Sequence, residues 1–150
     1  MLKLVEINEQ NWLDVRRLSV SKDQEGFLDS AVGILARGYV YRGQRARVLG
    51  IERDGEMIGI ALVKDLDEEP ACYDLQQFLI DGRYQGRGYG AEALGLLLEL
   101  LRQEKKYEDV EVCVHREDAA ALALFTGAGF LDTGYVDPDA PDCLNLMLRL

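Results

Sequence analysis

The chain has few cysteines and no long apolar run. Its three cysteines, Cys72, Cys113 and Cys143, are odd in number and widely spaced, without a CxxC pair. This pattern suits neither a disulfide framework nor a zinc site, so we expect buried, reduced thiols, a cytoplasmic protein and no metal. No segment approaches the roughly 18 apolar residues that cross a bilayer. The early acidic residues Glu6 and Glu9 argue against a signal peptide, and we expect no membrane partner.

Basic residues are scarce relative to acidic ones. The chain has 17 lysines and arginines against 27 aspartates and glutamates, a formal charge of −10. Binding to nucleic acid requires a basic surface that neutralises phosphates, so we exclude a nucleic-acid partner. The same balance favours a cationic substrate. The arginines that are present cluster locally, which indicates a small anionic ligand bound at one place.

The hydrophobic pattern predicts one α/β domain spanning residues 1–150. Its order is a strand, two helices, a β-meander, a helix, a strand, a helix and a final hairpin. Asn8 is predicted to cap the first helix at Glu9, and Asp54-Gly55 is typical of a two-residue hairpin turn. The other predicted elements are a helix over 26–39, a strand over 71–81, a helix over 88–103, a strand over 109–117, a helix over 118–126, and strands over 130–136 and 143–150.

Three alternating glycines, Gly86, Gly88 and Gly90, lie between a predicted strand and a predicted helix. Glycines at this place let the backbone approach a ligand and point its amides at a phosphate. A P-loop is excluded because the lysine and the hydroxyl that should follow are missing, and a dinucleotide fingerprint fails on glycine spacing. A glycine-rich turn without a ligand is the remaining alternative.

The spacing Gln85-x-x-Gly88-x-Gly90 resembles the coenzyme loop of the GCN5-related N-acetyltransferase (GNAT) superfamily. The downstream segment "DAAALALFTGAGF" is similar to that family's second signature, with its matching positions at Asp118, Ala121, Leu124, Phe125, Gly129 and Phe130. The resemblance covers essentially the whole chain. It implies a GNAT fold, in which a mixed seven-stranded sheet is flanked by about four helices.

The resemblance also implies acetyl-coenzyme A as co-substrate. Its pyrophosphate would lie on the backbone of Gln85, Gly86, Arg87, Gly88, Tyr89 and Gly90, with Arg83 and Arg87 near the phosphate oxygens. The pantetheine arm would follow the strand residues Phe78, Leu79 and Ile80 as an added strand does. Asp118 would touch this arm, and it is also a helix N-cap whichever interpretation holds.

Phe125 occupies the position where the family commonly has a tyrosine that protonates the departing thiolate. A phenyl ring cannot donate a proton, so Tyr135 and Tyr73 are the candidate acids, or positioning alone drives the transfer. Asp74 is the first candidate base and Glu111 the second, although each also reads as a solvent-facing strand carboxylate. We assign the single histidine, His115, to the surface.

The N-terminal segments "INEQNW" and "VSKDQEGFLDSAVGILARGYVY" resemble the spermine/spermidine and diamine acetyltransferase branch. We therefore expect an N-acetyltransferase for a polyamine or another small cationic amine. An aminoglycoside or a protein N-terminus is an alternative acceptor, a non-catalytic acyl-coenzyme A sensor is the alternative class, and a homodimer is left open. Two acidic walls would hold the acceptor: Asp23, Glu25 and Asp29 in the first, and Asp137, Asp139 and Asp142 in the second.

Overall fold

The computed structural model describes residues 1–150 as a mixed seven-stranded sheet with helices on both faces. The strands are β1 (Leu2–Glu6), β2 (Arg47–Arg53), β3 (Glu56–Leu66), β4 (Cys72–Ile80), β5 (Asp109–His115), β6 (Leu131–Asp132) and β7 (Cys143–Arg149). The helices are α1 (Trp12–Val15), α2 (Ala31–Val40), α3 (Tyr89–Glu104) and α4 (Ala119–Gly127). The strand order is β1-β2-β3-β4-β5-β7-β6, and only the β4–β5 pair is parallel. The predicted fold class is confirmed.

The sheet separates two apolar layers. On one face, Leu94, Leu97 and Leu101 of α3 pack against strand residues that include Leu75 and Val112. On the other face, α1 and α2 cover β3 and β4 through the buried side chains of Val15, Ile34, Ile60, Leu62 and Leu79. The alternation of apolar side chains along β3 and β4 therefore fills both layers, which makes these strands the centre of the molecule.

β4 and β5 are hydrogen-bonded neighbours over only a short distance. The paired residues are Tyr73 with Val110 and Asp74 with Glu111. Farther along β4, a bulge interrupts its register with β3, because Leu62 faces Gln77 and Val63 faces Leu75, which leaves Gln76 as the extra residue. Because β5 pairs with β4 no farther than Asp74, the edge of β4 that faces β5 has no strand partner beyond this residue.

The hairpin prediction is confirmed, whereas three element boundaries differ from the prediction. Asp54 and Gly55 both have positive φ angles, 50° and 83°, as the two-residue turn between β2 and β3 requires. The first helix begins only at Trp12, because Asn8 caps the preceding turn through the amides of Gln10 and Asn11.

The second helix begins at Ala31, where the Ser30 hydroxyl accepts from the Gly33 amide. β6 stops at Asp132, because its carboxylate accepts from the amide of Gly134, which has a φ of +78°.

The three cysteines are free thiols, but the prediction that all of them are buried is wrong for Cys113. Cys72 is buried, Cys143 is half-buried and Cys113 is exposed. Cys113 alternates with Val112 and Val114, so its side chain is on the face of β5 opposite α3. No helix in the structure combines the length and apolarity that spanning a bilayer would require.

Gly59 offers a test of how tightly β3 and β4 pack. A Cβ atom at Gly59 would lie 2.4 Å from the carbonyl oxygen of Leu79, whereas a Cβ at Gly95 of α3 would meet nothing within 4 Å. We expect Gly59→Ala to lower the free energy of unfolding by about 1–3 kcal/mol, because the obstructing atom is strand backbone. Gly95→Ala should raise it by about 0.5–1 kcal/mol through helix propensity. Urea denaturation measures both, and equal effects would contradict this account of the packing.

Candidate active site

The glycine loop between β4 and α3 presents a row of unpaired backbone amides. The amides from Gln85 to Ala91 donate no hydrogen bond within the protein. α2 and α4 are capped by the side chains of Ser30 and Asp118, whereas the N-cap residue of α3 is Gly88, which has no side chain to cap it. Unpaired amides at the start of a 16-residue helix are suited to binding an anion such as phosphate.

The conformation of the loop depends on glycine at two positions. Gly86 and Gly88 have φ angles of +76° and +84°, which residues with a Cβ rarely adopt. A Cβ at either position would meet nothing within 4 Å, so the space above the loop is open. Both glycines are therefore needed for the course of the backbone, and they leave its amides accessible to a ligand.

A cavity of about 310 Å³ joins this loop to the end of β4 and to α4. Phe78 and Ile80 of β4 line it, and so does Asp118, whose carboxylate accepts from the Ala121 amide at 3.1 Å. Gln24 and Gln85 border the cavity and exchange two hydrogen bonds of 2.9 Å between their side-chain amides. The segment between α1 and α2 thus closes one side of the cavity. Its lining combines apolar side chains with the glycine loop, as expected of a site for an anion that is partly apolar.

Seven of the twelve predicted coenzyme residues line this cavity, and five do not. Gln85, Gly86, Gly88 and Gly90 line it, as do Phe78, Ile80 and Asp118. The Arg83 guanidinium is bound to Asp81 at 2.8 Å, while Arg87 is exposed and makes no ion pair. Leu79 is buried in the layer below α1 and α2. The Tyr89 ring lies beside Arg53, and Phe125 is buried between Phe78 and Phe130.

A second cavity, of about 600 Å³, lies on the opposite face of the sheet, beside the place where β4 and β5 diverge. We call it the acidic cavity because four carboxylates line it: Glu68, Asp74, Glu111 and Asp137. Its other lining residues are Leu66, Cys113, Thr133, Tyr135, Asn145 and Met147. The structure therefore brings Asp74, Glu111 and Tyr135, the three predicted catalytic residues, to one cavity.

Burial and mutual repulsion alter the acidity of two of these carboxyl groups. Removal from water raises the pKa of Glu111, and the negative charges of Asp74 and Glu68 raise it further. Removal from water also raises the pKa of Asp74, although Lys64, at 3.2 Å, opposes that shift. Carboxyl groups with raised pKa values are better proton acceptors than exposed ones, so this cavity can serve acid–base chemistry.

Of the six predicted acceptor-binding residues, only Asp137 lines the acidic cavity. Asp23, Glu25, Asp139 and Asp142 are exposed outside it. Asp29 binds Arg37 at 2.8 Å, which lowers the pKa of its carboxyl group. Glu68 was not predicted as a site residue, although the acidic run that follows β3 was a signal that could have identified it.

Tyr73, the second candidate acid, and His115, which we assigned to the surface, lie away from the acidic cavity. Tyr73 is buried on the opposite face of the sheet, where its hydroxyl donates to the carboxylate of Glu104 at 3.2 Å. The His115 ring lies 5.0 Å from that of Phe27, between centroids, at the end of β5. Tyr135, in contrast, makes its hydrogen bonds through its backbone alone, which leaves its hydroxyl group free at the cavity rim.

Comparison with known proteins agrees with this geometry. The acetyltransferase (GNAT) family model matches residues 9–130. The chain belongs to the GNAT acetyltransferase family. This acetyltransferase is 25% identical to a spermine/spermidine N(1)-acetyltransferase of Bacillus subtilis over 87% of its own length and 88% of the relative's. It is 32% identical to the N-alpha-acetyltransferase RimI of Mycobacterium tuberculosis over 57% of its own length and 52% of RimI's.

A solved structure shares the fold of the acetyltransferase at lower sequence identity. The aminoglycoside acetyltransferase AAC(6')-Ib in complex with coenzyme A superposes with a TM-score of 0.80 at 18% identity, over 99% of this chain and 95% of that one. Family membership makes the protein an N-acetyltransferase, as predicted from its glycine loop, and the non-catalytic sensor alternative is set aside.

The raised pKa of Glu111 in the acetyltransferase predicts a cost in stability. A carboxyl group whose pKa is higher in the folded than in the unfolded state destabilises the fold increasingly as pH rises above the unfolded value, and fully above the folded value. We therefore expect Glu111→Gln to raise the free energy of unfolding at pH 8, and the gain should vanish as pH falls below the ordinary glutamate pKa of about 4.3.

Asp74→Asn is the matched comparison, because the pKa of Asp74 is also raised but this change leaves the buried Lys64 without its partner. The lost ion pair opposes the gain from removing a buried carboxylate, so Asp74→Asn should stabilise the protein less than Glu111→Gln does at pH 8. Urea denaturation of both variants at pH 8 and pH 4 measures the contrast. A loss of stability in Glu111→Gln at pH 8 would contradict the assignment of Glu111 as a destabilising charge.

Proposed function

We propose that this acetyltransferase moves an acetyl group from acetyl-coenzyme A to a primary amine of a polyamine or a similar small polycation. The observation that carries the proposal is the acidic cavity, where Glu68, Asp74, Glu111 and Asp137 converge beside the divergence of β4 and β5. The similarity to a spermine/spermidine N(1)-acetyltransferase over most of the chain supports the same class of acceptor. We further propose that residues 1–150 form one catalytic domain that acts in the cytoplasm.

Acetyl-coenzyme A supplies an activated acetyl thioester. The amides from Gln85 to Gly90 would hold its pyrophosphate, because they are unpaired and their glycines leave the approach open. The free guanidinium of Arg87 can add a charge-assisted contact with phosphate, whereas Arg83 would first have to leave Asp81. The free edge of β4 at Phe78, Leu79 and Ile80 would pair with the pantetheine arm, with Asp118 on the other side of the cavity.

The attacking amine must lose a proton, and the departing thiolate must gain one. Asp74 or Glu111 would accept the first proton, since both line the acidic cavity and both have raised pKa values. Tyr135 is our candidate for the second transfer, because its hydroxyl group has no partner in the protein. The more distant ammonium groups of a polyamine would be held by Glu68 and Asp137.

Gly88 tests the coenzyme loop, with Gly55 as its matched control. Both glycines have a φ near +84°, and a Cβ at either would meet no atom within 4 Å. Alanine at either position should therefore cost a similar backbone strain, about 1–2 kcal/mol of stability. We expect only Gly88→Ala to weaken coenzyme A binding in calorimetry, by roughly 10-fold or more, because its methyl group obstructs the phosphate. Equal affinity for the two folded variants would overturn the loop assignment.

The acceptor assignment predicts unequal roles for two aspartates of one loop. Asp137 lines the acidic cavity, whereas Asp139, two residues later, is exposed outside it. We expect Asp137→Asn to raise the KM for spermidine roughly three- to tenfold, because it removes one charge contact with little change of shape. Asp139→Asn should leave this KM unchanged. The KM of the wild type should also rise with salt, because exposed charges are screened over about 10 Å at 0.1 M.

An acceptor panel in the same assay separates the rival substrates. It contains spermidine, a monoamine of similar length, an aminoglycoside and a peptide with an N-terminal alanine. Turnover of spermidine with a salt-dependent KM supports the proposal. Preference for the aminoglycoside or the peptide, together with indifference of the kinetics to Asp137→Asn, would replace the polyamine by that acceptor.

A further inference from the structure

The register of the sheet places Lys64, Asp74 and Glu111 side by side. Lys64 of β3 pairs directly with Asp74 of β4, and Asp74 pairs directly with Glu111 of β5. Directly paired residues point to the same face of a sheet, and neighbouring strands lie about 4.8 Å apart. The Nζ atom of Lys64 lies 3.2 Å from Oδ2 of Asp74, whereas Glu111 makes no ion pair. Of these two adjacent carboxylates, Asp74 thus contacts the ammonium group of Lys64 and Glu111 does not.

The ion pair between Lys64 and Asp74 is shielded from water. Their side chains are 10% and 19% exposed, and the Tyr41 ring at the end of α2 lies 5.5 Å from Nζ of Lys64. Opposite charges attract more strongly where water is excluded, so this pair has a larger effect on protonation than an exposed pair.

No cation lines the acidic cavity, and Lys64 contacts it through its ion pair with Asp74. The guanidinium of Arg37, the one arginine of α2, is bound to Asp29 and Gln76. The remaining groups around the carboxylates of Asp74 and Glu111 are acidic or neutral: Glu68 after β3, Cys113 on β5, Tyr135 and Asp137 after β6, and Asn145 and Met147 on β7. Burial and the charge of Glu68 oppose the ionisation of Asp74, Lys64 is the cation that favours it, and Glu111 in turn responds to the charge of Asp74.

We propose that Lys64 is a positioning residue that keeps Asp74 ionised and so leaves Glu111 as the carboxylate that accepts the proton of the attacking ammonium group. That the proton comes from the ammonium group of a substrate rests on the proposed function, whereas the charge states of Asp74 and Glu111 are properties of the free protein. Without Lys64, the paired carboxylates would share a proton, because two like charges on adjacent strands repel one another. With Lys64, their roles are divided: Asp74 holds charge and Glu111 exchanges the proton.

The decisive measurement is a pH titration of the side-chain carboxyl groups by carbon-detected NMR in the free protein, without any acceptor. In the wild type, Asp74 should titrate below Glu111. Lys64→Met keeps the length and packing of the side chain but removes the charge, so the midpoints of both carboxyl groups should rise by about one pH unit or more. Lys64→Arg keeps the charge and should leave both midpoints near those of the wild type.

Two further variants keep the test decisive if Lys64→Met does not fold. Lys64→Met/Asp74→Asn removes both charges of the buried pair and leaves neither partner alone, and its Glu111 should titrate above Glu111 of Asp74→Asn, which retains the lysine. An unchanged midpoint of Glu111 on removal of Lys64, or an Asp74 that titrates above Glu111 in the wild type, would overturn the inference.

Kinetics with acetyl-coenzyme A and spermidine then separate this inference from the proposed function. The acidic limb of the kcat/KM profile should move to higher pH in Lys64→Met, return in Lys64→Arg and disappear in Glu111→Gln. A purely structural role of Lys64 would lower activity without moving the limb. Absence of turnover with spermidine would count against the proposed acceptor, while the NMR titration still decides the role of Lys64.

Discussion

The separation of β4 from β5 is the constraint on which the rest of the structure depends. Two residue pairs join these parallel strands before they diverge, and the bulge at Gln76 turns β4 away. The edge that opens would leave backbone groups without partners in an ordinary sheet, which is costly unless a ligand or water satisfies them. The glycine loop follows this edge directly in the chain, and its backbone amides are also unpaired. The fold thus places the unpaired amides of the glycine loop next to a strand edge without strand partners, where the carbonyl of Ile80 accepts from the side-chain amide of Gln85.

The two cavities follow from this divergence. The cavity of the glycine loop lies between the end of β4 and α4, on the side of Phe78 and Phe125. The acidic cavity lies on the opposite face, beside the last paired residues, Asp74 and Glu111. A donor with a phosphate and an acceptor with positive charge can therefore approach the same opening from different faces. The four carboxylates of the acidic cavity also contribute to the chain's formal charge of −10.

Phe125 has a packing role at the position where the chain lacks the hydroxyl group of a tyrosine. Its ring is buried and packs edge-on against Phe78 and Phe130, with centroids 6.2 and 5.3 Å away. Such aromatic pairs stabilise the junction of α4 with the sheet. Because the ring is enclosed, Phe125 supports Phe78, which lines the cavity of the glycine loop. Under the proposed function, proton transfer would therefore depend on groups elsewhere, for which Asp74, Glu111 and Tyr135 of the acidic cavity are our candidates.

The sequence by itself determined the fold class, the two-residue hairpin, the glycine loop and the reaction type. These are local features, since strand and helix periods, the conformational freedom of Gly88 and capping by Asp118 depend on neighbouring residues. It did not determine which carboxylates meet. Asp137 lines the acidic cavity while Asp139 does not, and Asp29 is bound to Arg37. Only the tertiary structure decided that Lys64, Asp74 and Glu111 form a row, because strand order and register join residues far apart in the chain.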